Sequence, residues 1–201
     1  MTDVTDLGAF LDHGWQRLLH GVAEASAPAR HPVLATVSPE GQPEARTVVL
    51  RAADRSLSRL ECHTDLGSAK VASLRACPSA ELHVWDAEAR LQLRLRGQVR
   101  IATGAEAASR WPGVPVASRA AYGARPAPGT PIDHPFAYDK PGDAAGFAVL
   151  WCDLTRIDLM ELADRHRRAA TARGQHLPDD CLWGGNNFGR WADCGRCALR
   201  L

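Results

Sequence analysis

The residues best suited to chemistry in this sequence lie between Glu44 and Gln92, on segments that read as strands and one short helix. They combine cations, hydroxyls and one amide in a set that could hold a phosphate and a polar ring: Arg46, Arg51, Thr64, Ser68, Lys70 and Gln92. Guanidinium and ammonium groups form charge-assisted hydrogen bonds to phosphate oxygens, and hydroxyl and amide groups can donate beside them. We therefore predict an anion-binding site that neighbouring strands position.

The segment SAKVASLRA, residues 68–76, predicts a short helix directly after the turn Asp65-Leu66-Gly67. The first N–H groups of a helix are free and its dipole is positive at that end, so a helix start attracts an anion. Thr64, Ser68 and Lys70 would add donors beside it. The alternative is an ordinary capped helix, in which Ser68 or Asp65 is the cap and Lys70 is solvated.

Alternation of apolar and polar residues predicts the strands that carry this site. In residues 90–101, for example, leucines alternate with arginines and Gln92. Arg46 and Arg51, on one predicted strand, would face opposite sides of it, although each could also be a solvated strand arginine. Successive antiparallel strands with hairpin-length links predict a small barrel. The predicted strands are 31–38, 45–51, 60–64, 78–85, 90–101, 147–152 and 155–162.

The other segments predict elements that support the barrel. An apolar stripe at three- and four-residue steps predicts an amphipathic helix over residues 5–25, and short helices are predicted at 104–111 and 116–123. A Pro- and Gly-rich loop of about twenty residues follows, a length typical of lids and interface arms. We expect one domain over residues 1–173 and a C-terminal tail of uncertain structure over residues 174–201.

Composition limits the classes of function. The chain has 201 residues, 45% of them hydrophobic, which fits one domain with a substantial core. Its net charge of +1 gives no global attraction to nucleic acid or to an anionic membrane, so neither partner is predicted. The acidic first segment does not resemble a secretory signal and no apolar run could span a bilayer, so we expect a cytoplasmic protein with mostly reduced cysteines.

Common nucleotide and metal motifs are missing from the sequence. Neither the dinucleotide-binding glycine pattern after a strand nor the phosphate-binding loop pattern occurs. The late cluster of His176, Cys181, Cys194 and Cys197 offers zinc-type ligands, but its spacing matches no common zinc module. We therefore predict no metal site, and a zinc-bearing interaction domain remains a weaker alternative.

Four segments in order give the sequence a family likeness: ARTVVLR, HTDLGSAK, P-x-x-E-L-x-V-W and Q-L-R-L-R-G. Together they resemble the pyridoxamine 5′-phosphate oxidase-like, FMN-binding split-barrel family, most clearly over residues 35–99. The segment SRAAYGARPAPGTP is similar to general FMN-binding members rather than to the dedicated oxidase. The resemblance implies a mainly β (α+β) fold, a six-stranded antiparallel split barrel with flanking helices. It also implies a homodimer with FMN in clefts between the subunits.

The resemblance also implies roles for single residues. Arg46 and Lys70 would bind the FMN phosphate, and His63 with Thr64 matches a tyrosine–threonine pair that touches FMN. Gln92 matches the family's strand glutamine, and Arg168 matches a late arginine that approaches the flavin from the partner chain. The full set predicted to contact the cofactor is Arg46, Thr47, Val48, Val49, Arg51, His63, Thr64, Ser68, Lys70, Gln92 and Arg168.

Departures from the dedicated oxidase bear on the substrate. Arg51 replaces a substrate-binding lysine, Ala69 a phosphate-binding arginine and Met160 a tryptophan near the flavin, and the oxidase's closing substrate motif is shortened to residues 165–168. The candidates for holding an anionic substrate, such as phosphorylated pyridoxine, are Arg51, Arg165 and His166. The sequence thus predicts an FMN-dependent oxidoreductase with unassigned catalytic residues, substrate and electron acceptor. The alternative is a module of the same fold that binds FMN, or haem, without turnover.

Overall fold

An antiparallel sheet of eight strands forms the centre of the structure, a computed structural model that describes residues 7–162 and 167–172. In chain order the strands are β1 (Val33–Val37), β2 (Pro43–Thr47), β3 (Leu50–Asp54), β4 (Arg59–Asp65), β5 (Ser79–Asp86), β6 (Leu91–Ala102), β7 (Phe147–Glu161) and β8 (Arg167–Ala172). Seven of them follow the hydrogen-bonded path β2-β1-β5-β6-β7-β4-β3, and β8 pairs with the C-terminal part of β7. The antiparallel, mainly β architecture is confirmed, with eight described strands where the resemblance implied a six-stranded barrel.

The two ends of this path, β2 and β3, are separated along the chain only by Val48 and Val49. Three peptide steps from Thr47 to Leu50 span at most about 11 Å, so the sheet must curl until its ends nearly meet. The backbone N–H of Val48 donates to the carbonyl of Pro32 at 2.9 Å. Because β2 and β3 are not neighbours in the described pairing, the barrel stays open at this point.

This closure corrects the prediction of a single strand over residues 45–51. β2 pairs with β1 and β3 pairs with β4, so the alternating residues of this segment belong to two separate strand pairings. The apolar pattern runs through the break because Val48 and Leu50 are both buried in the same core.

The predicted pair of strands over residues 147–162 is one strand of 15 residues, β7. Its register against β6 shifts at Arg96 and Gly97, where Thr155 is the extra residue of a bulge. Gly97 is required there, because a Cβ would lie 2.5 Å from the carbonyl oxygen of Asp153 and 2.7 Å from Sγ of Cys152. The polar Asp153 and Thr155 therefore mark an irregularity within one strand.

The described helices flank the sheet as α1 (Leu7–Ala23), α2 (Ala69–Ala76), α3 (Gly104–Ala108) and α4 (Val116–Arg119), with 3-10 turns at Pro28–Arg30, Trp111–Gly113 and Ala144–Gly146. The helix predicted over residues 5–25 and that over residues 68–76 are confirmed within two residues where described. Among these described helices, none has the length and apolar content needed to cross a bilayer.

The main core lies between α1 and the inner face of the barrel. Leu91, Leu93 and Leu95 of β6 are at most 1% exposed, as their alternation predicts. Phe10 and Leu18 of α1 pack into the same cluster. Burial of each such side chain contributes about 1.5–3 kcal/mol, so the alternation of β6 is enough to decide which face of the sheet is internal.

A second apolar cluster covers the outer face of β7. Phe147, Val149 and Trp151 pack there against two residues of the helical segment: Val114, which follows α3, and Tyr122, which follows α4. Alternate residues of the same strand, such as Leu150 and Cys152, belong to the main core. Both faces of β7 are thus buried, which explains why FAVLWC is a continuous apolar run.

Candidate functional site

Four predicted phosphate-binding side chains lie where β2, β4 and the start of α2 meet. We call Arg46, Thr64, Ser68 and Lys70 the cationic cluster. Arg46 is paired with Leu34 of the core, and Thr64 follows Leu60 and Cys62 at two-residue steps on β4. The cluster therefore continues the inner face of the sheet toward α2.

Arg46 is held by several protein acceptors. Its Nη1 donates to Oγ1 of Thr36 at 2.6 Å and to the carbonyl of Leu34 at 3.3 Å. Its Nη2 donates to Oε2 of Glu44 at 2.8 Å. These bonds fix the orientation of the guanidinium and leave other N–H groups of Arg46 for a ligand.

Lys70 has hydroxyl partners instead. Its Nζ donates to Oγ1 of Thr64 at 3.2 Å, and the hydroxyls of Thr64 and Ser68 lie 3.1 Å apart. Burial lowers the pKa of Lys70, the charge of Arg46 lowers it further, and Asp65 opposes both effects. Within the described residues no ion pair joins Lys70 to a carboxylate.

The start of α2 differs from an ordinary capped helix. Ser68 is the N-cap residue, but its side chain makes no capping hydrogen bond and donates instead to the carbonyl of Asp65 at 2.8 Å. Asp65 accepts from the backbone N–H groups of Gly67, Gly123 and Ala124 at 2.7, 2.6 and 3.2 Å. The cap alternative therefore does not describe Ser68, and Asp65 ties a distant loop to this turn.

Arg51 and His63 lie on the outer face of the sheet and are separate from the cationic cluster. Arg51 lies near the side chain of Tyr122, whose pKa is raised by burial and lowered in part by Arg51. The ring of His63 contacts Phe147 edge-on, with centroids 4.9 Å apart. Nε of Arg51 and Nδ1 of His63 are buried without a hydrogen-bond partner. Since His63 and Thr64 are consecutive residues of β4, the side chain of His63 lies on one face of the end of this strand and the cationic cluster lies on the other face.

Glu61 organises the outer face, although no motif predicted it. Its Oε1 pairs with Nε2 of His63 at 3.0 Å, and its Oε2 accepts from Nε1 of Trp151 at 2.9 Å and from Nε of Arg110 at 3.1 Å. Burial would raise the pKa of Glu61, but the bonds from His63 and Trp151 and the charge of Arg110 outweigh it and lower that pKa to about 2. We call Glu61, His63, Arg110 and Trp151 the outer network.

The other predicted cofactor contacts are dispersed. Gln92 lies on β6 opposite Trp85 and Met160, and among the described residues no hydrogen bond joins it to the cationic cluster or the outer network. Thr47 is the last residue of β2, Val48 and Val49 connect β2 to β3, and the N–H of Val48 is already bonded to Pro32. Arg168 is paired with Met160 through β8, whereas Arg165 and His166, like His176 and Cys181, Cys194 and Cys197, lie outside the described residues.

An open hollow of about 380 Å³ lies beside the Asp65 turn. Its walls are the turn itself and two loops, 123–127 and 143–146. Arg125 and Asp143 form an ion pair on its rim at 2.9 Å. None of the cationic cluster lines this hollow, so it does not mark the predicted phosphate site.

Two carboxylates of the site were missed, and each had a weak signal. Glu44 and Glu61 each precede a predicted site residue by two positions on a strand, Arg46 and His63 respectively. Residues two apart on a strand share a face. The spacing alone therefore indicated one neighbour of each carboxylate, but the other donors come from residues 8 to 90 positions away.

The donor set fits a phosphate monoester. Two cations with hydroxyls between them are the groups that bind phosphate in proteins, and Lys70 is half-buried without a carboxylate partner among the described residues. No group of three or more side chains that could hold a metal ion occurs in residues 7–162. The donors of the cluster are thus suited to an anion.

Comparison with known proteins agrees with this fold. Residues 12–103 match the family model described as pyridoxamine 5′-phosphate oxidase, FMN-binding domain. A curated relative, pyridoxine/pyridoxamine 5′-phosphate oxidase 2 of Arabidopsis thaliana, is 33% identical over 90 residues, which are 43% of this chain and 46% of that protein. The chain therefore matches about half the length of this relative.

Two solved structures share the architecture. A pyridoxamine 5′-phosphate oxidase-related, FMN binding protein from Nostoc punctiforme is 25% identical with a TM-score of 0.66, over 85% of this chain and 100% of that chain. PhzG from Burkholderia lata is 17% identical with a TM-score of 0.64, over 86% of this chain and 91% of its own, and shows the shared fold. Residues 12–103 of this chain are thus similar to the FMN-binding domain of pyridoxamine 5′-phosphate oxidase, and the split barrel that contains them is the fold of both solved structures.

Proposed function

We propose that this chain binds FMN and acts as a flavin-dependent oxidoreductase on a small anionic substrate, such as pyridoxamine or pyridoxine 5′-phosphate. The observation that carries the proposal is the cationic cluster. Lys70 and Arg46 are close enough for the charge of Arg46 to lower the pKa of Lys70. Two neighbouring cations repel, and an anion placed against both relieves that repulsion.

In this proposal the cationic cluster holds the phosphate of FMN. Arg46 and Lys70 give charge-assisted hydrogen bonds, and the hydroxyls of Thr64 and Ser68 donate beside them. When bound, FMN supplies hydride chemistry and the protein supplies orientation and electrostatics. The split barrel contributes by holding β2, β4 and α2 in one arrangement, so that four donors from three elements converge.

Arg51 is the described candidate for the anionic substrate or for the polar edge of the flavin. Its buried Nε has no partner, and a buried N–H group without an acceptor is costly unless a ligand provides one. The guanidinium also lies near Tyr122, whose pKa it lowers. Arg165 and His166 stay predicted contacts of the substrate. Arg168 stays a predicted contact of the cofactor, provided by a partner subunit.

The proposal includes a homodimer with FMN between the subunits, as the family resemblance implies. An open barrel whose predicted cofactor contacts are dispersed over both faces, such as Gln92 and Arg46, supports a site that one subunit does not complete. Analytical ultracentrifugation of the holoprotein, with and without added FMN, tests this. A monomer that binds FMN at full stoichiometry contradicts the dimer.

The purified protein is expected to be yellow, with FMN released on denaturation and identified by mass. Arg46→Ala combined with Lys70→Ala is expected to weaken FMN binding about 100-fold or more, because each charge-assisted bond contributes about 1.5–3 kcal/mol. Flavin fluorescence titration of the apoprotein measures the dissociation constant. Circular dichroism checks that the double variant folds.

The matched control is Arg75→Ala combined with Lys140→Ala, which removes the same number of cations from exposed positions. It should bind FMN like the wild type, and equal losses in both double variants would refute the assignment of the phosphate site. Stopped-flow mixing of the holoprotein with pyridoxamine 5′-phosphate, pyridoxine 5′-phosphate and NAD(P)H then separates an enzyme from a binder. An absence of substrate-dependent flavin reduction supports the binding module instead.

A further inference from the structure

Glu44 carries three hydrogen bonds on a single carboxylate oxygen. Its Oε2 accepts from Nη2 of Arg46 at 2.8 Å, from Oγ of Ser73 at 2.8 Å and from Oγ1 of Thr36 at 3.3 Å. These donors come from β2, α2 and β1. Glu44 therefore links the β1–β2 hairpin to the helix that presents Lys70.

The same contacts determine which N–H groups of Arg46 are free. A guanidinium has five N–H donors, and Arg46 uses its donors toward Thr36, the carbonyl of Leu34 and Glu44. The remaining donors point in a direction that the protein has already fixed. A ligand that reaches them does not have to order the side chain, which lowers the entropic cost of binding.

Glu44 also reduces the positive charge of the site. The hydrogen bond from Ser73 and, more weakly, the bond and charge of Arg46 hold the pKa of Glu44 below its usual range, so the group is ionised at neutral pH. Arg46, Lys70 and Glu44 then sum to a net charge of +1, two cations less one carboxylate. A phosphate monoester approaching this site meets two attractive groups and one repulsive group.

We propose that Glu44 is a positioning residue of the phosphate site that also limits its affinity. It orients the Arg46 guanidinium for a phosphate monoester while its own charge opposes that ligand. The inference rests on the proposed function for the identity of FMN, but its chemistry applies to any phosphate monoester and to inorganic phosphate. Loss of the charge and loss of the positioning have opposite effects, so two substitutions at one position separate them.

The test compares Glu44→Gln, Glu44→Ala and the control Glu106→Gln as full-length apoproteins. Glu106 forms an exposed ion pair with Arg100, so its substitution removes the same charge away from the site. Dissociation constants are measured for FMN by flavin fluorescence and for inorganic phosphate by competition with FMN and by 31P NMR. Glutamine keeps an acceptor for Arg46 and Ser73, whereas alanine removes it.

Glu44→Gln is expected to bind FMN and phosphate about three- to tenfold more tightly than wild type, the range of one partly screened charge interaction. Glu44→Ala is expected to bind about three- to tenfold more weakly than Glu44→Gln, since Arg46 is no longer held. Glu106→Gln should match wild type. Raised salt should shrink the gain of Glu44→Gln, because that gain is electrostatic.

Each other outcome overturns a defined statement. Wild-type affinity or weaker in Glu44→Gln overturns the limit on affinity, and equal affinities of the two Glu44 variants overturn the positioning role. If Glu44→Ala loses its fold by circular dichroism, Ser73→Ala replaces it, and an affinity equal to that of wild type overturns the positioning role. If wild type and the variants bind phosphate in the expected order but do not bind FMN, the proposed function alone is refuted. Protein that binds neither refutes both.

Discussion

The cationic cluster and the outer network occupy opposite faces of the end of β4, and they differ in how their charges are compensated. In the outer network one carboxylate, Glu61, receives donors from three side chains. In the cationic cluster the ammonium of Lys70 donates to a hydroxyl, that of Thr64, and forms no ion pair with a carboxylate among the described residues. The charge of Glu61 is thus compensated within the chain, whereas the ammonium of Lys70 keeps N–H groups and positive charge for a ligand.

The largest expected effect on stability comes from removing Glu61, the carboxylate that accepts the hydrogen bonds of the outer network. Glu61→Ala leaves Nε1 of Trp151, Arg110 and His63 without their shared acceptor, and we expect a loss of about 2–4 kcal/mol in the free energy of unfolding. Urea denaturation of the apoprotein measures it.

The control for Glu61→Ala is Glu106→Ala, which breaks a half-exposed ion pair with Arg100. Such pairs contribute about 0–1 kcal/mol. Equal losses in the two variants would mean that the outer network is no more than a surface ion pair.

Acid should weaken the outer network. The pKa of Glu61 is about 2 in the folded protein, below its ordinary value of 4.5. A lowered carboxyl pKa gives stability that is present above the unfolded value and is lost as pH falls through the folded one. We expect Glu61 to account for roughly 2 kcal/mol of the stability lost between about pH 5 and pH 2, after allowance for solvent screening.

The pH prediction is checked by comparing wild type with Glu61→Gln across this range. The glutamine variant should lose less stability on acidification, because it has no carboxylate to protonate. Identical pH profiles of the two proteins would contradict a lowered pKa at Glu61.

The smallest effect on stability is expected at Lys70, whose ammonium forms no ion pair among the described residues. Lys70→Met keeps the aliphatic stem and removes an ammonium that burial disfavours, so the free energy of unfolding of the apoprotein should change by about 1 kcal/mol or less. FMN affinity should nevertheless fall about tenfold or more. Thermal melts and flavin titration measure the two quantities.

Arg75→Met, at an exposed position of the same helix, is the control for Lys70→Met. It should change neither quantity appreciably. If Lys70→Met destabilised the apoprotein as much as Glu61→Ala, the ammonium would be a structural group and the contrast between the two faces would fail.

Local patterns predicted the parts of the molecule that local interactions decide. The alternation of β6 identified its buried leucines, and the residues around Ser68 predicted α2. The break after Thr47 was missed because the apolar period continues through Val48 and Leu50 although the pairing partner changes. The bulge at Thr155 likewise looked like a gap between two strands.

The grouping of the candidate residues could be predicted to a similar extent, while their role stays a prediction. Arg46, Thr64, Ser68 and Lys70 lie together, and they come from one stretch of 25 residues, 46–70. Glu61 owes its role to Arg110 and Trp151, which are 49 and 90 positions further along the chain. No periodicity within β4 carries that information, since the partners are chosen by how the strands pair and how α3 and α4 pack.

The two-residue link between β2 and β3 has a consequence for how this barrel forms. It joins the first and last strands of the path at almost no cost in chain entropy, but the pairing of β4 with β7 must bring Cys62 and Leu150 together from 88 positions apart. Barrels dominated by such distant pairings fold in milliseconds to seconds rather than microseconds. The rate of folding should therefore depend on the β4–β7 encounter, and hardly at all on the length of the link.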